Sequence, residues 1–168
     1  MENLYLKYGK KKDCNGCGGC IYVCPVHAIS MGEDEEGFLY PKINEEKCIN
    51  CKKCEKYCSN FNNNHSKKIA YRGINQNKDD LKISSSGGIF LILARKVIEN
   101  NGVVFGVKYD EKLNVIHGYA ESIEDVKKFC GSKYVRSNLG NSYENVKKFL
   151  DQGREVLFTG TSCQIQGL

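Results

Sequence analysis

The sequence predicts an α+β protein in two parts: a small cysteine-wrapped domain over residues 1–60 and an α/β domain over residues 69–168, joined by a linker at 61–68. Three observations carry this. Eight of the ten cysteines fall between Cys14 and Cys58, in two runs of one spacing. Residues 59–68 (SNFNNNHSKK) are polar and aperiodic, as linkers are. From Ile69 onward, apolar stretches of strand and helix character alternate with Gly, Ser and Thr turns, the order that builds a layered α/β unit.

The two runs read Cys14, Cys17, Cys20, Cys24-Pro25 and Cys48, Cys51, Cys54, Cys58, which is C-x2-C-x2-C-x3-C written twice. This is the spacing of a pair of four-iron clusters in bacterial-type ferredoxins, hence a ferredoxin-like 2[4Fe–4S] domain. A cubane needs one thiolate per iron, and two-residue gaps let a short loop wrap three corners. Gly16, Gly18 and Gly19 can take positive φ and turn backbone N–H groups toward sulfur. In two-cluster ferredoxins the fourth cysteine of each run crosses over. One cluster is therefore expected on Cys14, Cys17, Cys20 and Cys58, and the other on Cys48, Cys51, Cys54 and Cys24.

Zinc is the main alternative, because C-x2-C pairs also hold a tetrahedral ion; it would leave the third and fourth cysteines of each run without a task. A disulfide framework would call for a secretory leader, and residues 1–13 carry lysines but no apolar core segment. The longest purely apolar run, Ile89–Ala94, is far short of the roughly 18 residues that span a bilayer. A cytoplasmic chain with reduced cysteines and no membrane span is expected. The formal charge of +5 falls to about +1 once two oxidised clusters of roughly −2 each are counted. The basicity is then compensation, and nucleic-acid binding is not expected. Lys52, Lys53 and Lys56 sit within the second run, where they would compensate a cluster or form a solvated face.

Along the chain, Pro25–Ile29 is expected as a short helical turn. Ala28–Met31 and Gly37–Ile43 pair around the acidic turn Gly32–Glu36, with Pro41 holding its strand to an edge. That turn is either a docking patch or a solvated hairpin tip. Residues 44–47 (NEEK) form a capped lead-in to the second run, so the halves repeat at an offset of about 34 residues (Cys14 to Cys48), with Ser59 in place of Pro25. His65 is a solvated linker histidine.

In the second part, residues 69–74 read as a strand, and Ser84–Gly88 opens a serine-capped helix over 89–100 with Ile89, Phe90, Leu93 and Val97 on its apolar face. Asn101-Gly102 ends it. Val103–Tyr109 and Asn114–Ala120 form a hairpin around Asp110–Leu113. Ser122 caps a short helix to Phe129, and Ser142 caps another with Tyr143, Val146, Phe149 and Leu150 on one face, stopped by Gly153. Val156–Phe158 is a short buried strand, and Thr159–Gln164 turns into a last helix. A strand followed by such a turn is where a parallel α/β sheet places its ligand. The sheet that should continue beyond Leu168 is missing, so this domain reads as incomplete.

The double cysteine run, SSSGG at 84–88, GSKYVRS at 131–137 and VLFTGTSCQIQGL at 156–168 together resemble the N-terminal part of the coenzyme F420 hydrogenase/dehydrogenase beta-subunit family, FrhB-like, over nearly all of this chain. Members of that family are similar over a longer chain, so this one reads as a truncation, a split product or an engineered piece. The resemblance implies FAD beside the clusters and an oxidoreductase exchanging electrons with a hydride carrier or organic substrate, F420 itself not being required. It also implies that Ser85, Ser86, Gly87 and Gly88 contact FAD, with the helix N-terminus at the pyrophosphate. Lys133 and Tyr134 are then flavin-pocket candidates, a lysine near N1 stabilising reduced flavin, unless Lys133 is merely a surface lysine. Thr159, Gly160, Thr161 and Gln164 are a second candidate ligand turn. Cys163 at a helix start is a candidate reactive thiol, and Cys130 a small buried hydrophobe. No catalytic residue is assigned.

The expected partner is a redox protein or a small electron carrier. Two other outcomes follow from the same residues: an electron-transfer module with no catalytic site of its own, or a remnant whose second domain cannot complete its sheet.

Overall fold

The computed structural model describes residues 11–58, 60 and 69–168; the predicted linker with His65, and Ser59, lie outside the described residues. The described chain divides into two compact units. The first takes in residues up to 60 together with 161–168, and the second takes in 69–160. The sequence put 161–168 with the second part; in the structure they count with the first.

In the first unit a 3-10 turn at Lys11–Asp13 leads into the cysteine loop and α1 (Gly19–Val23). Strands β1 (Ile29–Glu33) and β2 (Leu39–Ile43) form an antiparallel hairpin with Ile29 opposite Ile43 and Met31 opposite Pro41. Pro41 lacks an N–H, and a two-stranded sheet leaves each strand an open edge where that costs nothing. The tip runs from Asp34 to Phe38, two residues later than predicted. There the Asp34 carboxylate accepts the Glu36 and Phe38 N–H groups, and Gly37 turns at φ 82°. Lys11 pairs with Asp34 and lies over the Tyr40 ring. Asn44 Oδ1 accepts from the N–H groups of Glu46 and Lys47, the predicted capped lead-in. It is followed by α2 (Lys53–Tyr57). Residues 25–26 form a simple turn where a helical one was predicted, because His27 at φ 49° breaks helical progression. The core is small: Cys24, Ala28, Ile29 and Ile43, with Cys20, Ile21, Val26, Cys48 and Cys54 packed on it.

The second unit opens differently from prediction. Residues 69–75 form no strand. The segment 73–75 instead lies against the glycine turn: Asn75 N–H donates to Gly87 C=O at 2.7 Å, and a Cβ on Gly87 would strike Gly73 O. Between these two segments Asn77 caps α3 (Lys78–Lys82) by accepting from Asp79 and Asp80 N–H. The long helix α4 (Ile89–Glu99) is capped by Gly88 in the left-handed region, with no serine bond to it. Its buried residues are Leu91, Ala94 and Val97, while Ile89 and Leu93 are exposed. The segment is apolar nearly all round, so periodicity alone misassigned its inner face. Asn101 at φ 57°, with Gly102 N–H reaching back to Val97 C=O, closes it as a Schellman turn.

Strand β3 (Val103–Tyr109) pairs antiparallel with β4 (Val115–Ala120), Val104 opposite Ala120, as predicted to within one residue. Ser122 caps α5 (Ile123–Lys127). Asn141, not Ser142, precedes α6 (Ser142–Asp151), where Leu150 is exposed and Tyr143 and Val146 are buried. Strand β5 (Val156–Phe158) is half-buried and runs parallel to β3, giving the sheet order β4-β3-β5. The central strand is buried on both faces. Val104 packs with Leu91, Ala94 and Val126 from α4 and α5, and Val103 and Phe105 pack with Val146 of α6. The unit is a mixed three-stranded sheet between helices.

Helix α7 (Ser162–Gln166) belongs to the first unit, and the chain beyond it lies against α1: a Cβ on Gly19 would come within 2.6 Å of Gly167 O.

Candidate metal centres

Each cysteine run is a loop that takes two left-handed residues and then a five-residue helix. In the first run these are Gly16 (φ 59°) and Gly18 (φ 79°) before α1; in the second, Asn50 (φ 53°) and Lys52 (φ 57°) before α2. The positions correspond one for one at the offset of the repeat, and Cys24 and Cys58 end the two helices with matching extended backbone (φ −76°, ψ 111° and φ −69°, ψ 119°). Backbone donors reach the sulfurs: Gly16 N–H to Cys14 Sγ at 3.2 Å, and Ala28 N–H to Cys24 Sγ at 3.3 Å. The loops differ in cover. Cys24 is buried and Cys51 exposed, with the other six in between.

Two half-buried sulfurs have electrostatic neighbours in both runs. Burial pushes the Cys20 thiol up, and the sulfurs of Cys17, Cys14, Cys54 and Cys58 push it further. Burial likewise raises Cys54, against the pull of the Glu55 N–H, with Cys24 and Cys51 adding to the rise. Thiols so placed resist ionisation by themselves. A polynuclear iron centre, which brings its own positive charge and deprotonates its ligands, fits this donor set of four sulfurs at each end of the repeat. Among the described residues no group of three or more His, Cys, Asp or Glu is arranged around a single metal ion.

In the second unit, a cleft of about 540 Å³ brings Ser85, Ser86, Gly87 and Gly88 together with Gly131 and Ser132, with Arg72 and Phe129 also lining it. The sequence pointed to the first of these groups; Arg72 was hidden inside the supposed strand. The remaining candidates lie elsewhere. The Lys133 ammonium donates to the carbonyls of Lys128, Phe129 and Cys130, closing the C-terminal end of α5, so it is not the surface lysine that was the other expectation. Burial lowers its pKa, the Cys130 sulfur opposing. Tyr134 is 95% exposed. Thr159 is spent at the end of β5, its N–H and Oγ1 both donating to Phe105 C=O, with Gly160 next to it. Thr161 and Gln164 belong to the first unit and form a capping box: Gln164 Oε1 accepts from Thr161 N–H and Oγ1, with Gln164 wholly buried. Cys163 Sγ lies 3.2 Å from Thr161 Oγ1, and Cys130 is half-buried.

A further buried group was not foreseen. His117 stacks on Phe158, with Nε2 against Thr159 C=O (2.8 Å) and Nδ1 against Ser137 Oγ (2.7 Å). The carbonyl can only accept, so Nε2 carries the proton and Nδ1 accepts from the serine. Its alternation within β4 was the one signal that could have placed it inside.

Residues 13–61 match the family of 4Fe-4S dicluster domains. The chain is 44% identical over 50 residues to one subunit of the Na(+)-translocating ferredoxin:NAD(+) oxidoreductase complex of Acetobacterium woodii, covering 30% of this chain and 14% of that protein. It is 41% identical over 56 residues to an uncharacterized polyferredoxin-like protein of Methanocaldococcus jannaschii, covering 29% of this chain and 33% of that one. The chain thus spans a third or less of the curated relatives it matches. The first part of the molecule is an iron–sulfur module of the ferredoxin type. No helix among the described residues is long and apolar enough to cross a membrane.

Proposed function

We propose that this protein passes electrons one at a time through two [4Fe–4S] clusters, one on Cys14, Cys17, Cys20 and Cys58 and the other on Cys48, Cys51, Cys54 and Cys24. The observation that carries the proposal is the pair of cysteine loops with matching left-handed positions, helices and helix ends at one offset, sulfurs of both runs lying near Cys20. The clusters, when bound, supply one-electron chemistry at potentials anywhere within roughly −700 to +450 mV. The chain's own residues set where in that range they fall. N–H donors such as those of Gly16 and Ala28 stabilise added negative charge on sulfur, and burial at Cys24 opposes it.

The finer reading gives these electrons a destination. The cleft around Ser85, Ser86, Gly87 and Gly88 would hold FAD, which exchanges one-electron and hydride chemistry, and a hydride carrier such as F420 or an organic substrate would meet it there. In favour stand the resemblance carried by the three downstream motifs, the cleft joining two of them, and a helix α4 whose N-terminus has no side-chain cap and so suits a phosphate. The ammonium of Lys133 would have to leave three carbonyls to reach a flavin, so its part in the site would be to shape the loop.

A second reading is an electron-transfer module without a catalytic site of its own, exchanging electrons through a redox partner. The family match ending at residue 61 favours it. Anaerobic purification with iron, sulfide and flavin analysis tests both. About eight iron and eight sulfide with FAD supports the flavoprotein; the same iron without flavin supports the module; zinc without sulfide overturns both.

A further inference from the structure

The two cysteine loops are unequally covered, and the difference has a chemical character. Around the first loop Gly16 and Gly19 are buried, and the backbone of Gly167 sits on α1. Around the second loop Cys51 is exposed, and Ile49 (61%) and Tyr57 (57%) are apolar side chains left in solvent. Lys47, Lys52 and Lys53 belong to the same stretch, all exposed, and none forms an ion pair with a described carboxylate. Between Lys47 and Cys54 there is no acidic residue; Glu55 follows, half-buried, and Glu45 and Glu46 precede. The acids Glu33, Asp34, Glu35 and Glu36 gather at the hairpin tip, a strand length of about 16 Å from its Ile29–Ile43 base.

We propose that the surface over the second cysteine loop is the docking site for an acidic one-electron carrier protein. Exposed apolar side chains interspersed with lysines have the composition of a transient protein interface. The charge argues for the occupant. An anionic carrier approaching an oxidised cluster of roughly −2 would be repelled, and these lysines reverse the sign of the field at the point of approach. The acidic tip repels the same carrier and so leaves one productive orientation. A cluster held by Cys48, Cys51, Cys54 and Cys24 would, when bound, accept one electron from the reduced carrier, with no bond made or broken. The proposal rests on the two-cluster reading above.

The test uses the anaerobically purified full chain, with iron and sulfide counted first, and a strongly acidic bacterial flavodoxin as probe. Stopped-flow reduction of the clusters by reduced flavodoxin is measured across ionic strength, and binding of the oxidised probe by titration calorimetry. The rate is expected to fall at least tenfold from low to high salt, and K47E/K53E to slow it about tenfold at low salt with iron content unchanged. K47Q/K53Q should lie between, E35K/E36K should leave the rate equal or faster, and basic cytochrome c should gain from K47E/K53E. A flavodoxin rate and affinity indifferent to salt and to both lysine variants would overturn the docking site while the iron count upholds the clusters. Iron well short of eight would instead sink the underlying reading. If K47E/K53E loses iron, K47Q/K53Q decides.

Discussion

At Cys20, burial and four neighbouring sulfurs all oppose ionisation, and three of those sulfurs are the proposed co-ligands Cys14, Cys17 and Cys58. The crossed ligand assignment makes a sharp prediction from this. Replacing Cys14 and Cys58 together by alanine should disable one cluster and leave about four of eight irons, because both removed sulfurs serve the same cube. Were each run to hold its own cluster, the same double variant would lose both. Iron and sulfide counts per chain distinguish the two. A different residue-scale device ties α3 to α4: Arg95 Nε and Nη2 donate to Asp80 at 2.9 and 2.6 Å, and Asn75 donates from the other side. The Arg95 hydrogen bonds hold the Asp80 carboxyl below its usual range. Since the folded pKa lies below the unfolded one, the pair's stabilisation is complete above about pH 3.9 and is lost as pH falls through the folded value. Arg95→Gln should therefore destabilise the second unit by about 2 kcal/mol at neutral pH. It should also make stability less dependent on pH below 4, as read by urea unfolding. Equal acid sensitivity in both proteins would refute this account. His117 works in the same direction at milder acidity. Burial lowers its pKa, so the neutral ring's contribution is present above about pH 6.5 and declines below it.

At the scale of the element, the cysteine loops show how one backbone can be written in two ways. Gly18 and Lys52 occupy the same left-handed position before α1 and α2. A side chain at Gly18 would meet nothing within 4 Å, so only backbone strain separates the two loops there. Gly18→Ala should cost about 1–2 kcal/mol and Lys52→Gly should gain about 1 kcal/mol. The rate of cluster loss to a chelator measures both, and a stabilising Gly18→Ala would contradict the geometry. The example shows where sequence reading succeeds and where it stops. Cysteine spacing and the Asn44 lead-in are local chemistry, and both loops stood open to reading. That Lys52 takes a glycine's conformation was not, because the tight path of the cysteine loop overrides its local preference. The hairpin β3–β4 was legible from alternation and turn residues. The inner face of α4 was not, because six apolar residues in a row offer no phase. Residues 69–74 read like a strand, yet the backbone of Gly73 lies so close to Gly87 that a Cβ on Gly87 would strike it. In the same way Thr161 and Gln164 look like ligand-turn residues but spend their polar groups on each other.

At the scale of the whole molecule, the two units hold themselves together by different means. The second has a strand buried on both faces and two apolar clusters around it. The first has a core in which Cys24, Cys20, Cys48 and Cys54 stand beside a few aliphatic residues, too little for a domain of this size without a metal staple. Metal binding is therefore folding free energy for the first unit and not for the second. Oxidising the clusters away with ferricyanide and a chelator should cost residues 11–58 their amide protection. Residues 162–166 should lose it with them, since α7 is part of the same unit. Amides of Val103–Phe105 should keep theirs, because β3 draws its cover from α4, α5 and α6. Hydrogen exchange by mass spectrometry before and after cluster removal reads all three segments at once. Loss of protection at β3 would show that the units fold as one. Protection surviving at 162–166 would show that α7 is held by something other than the cluster domain.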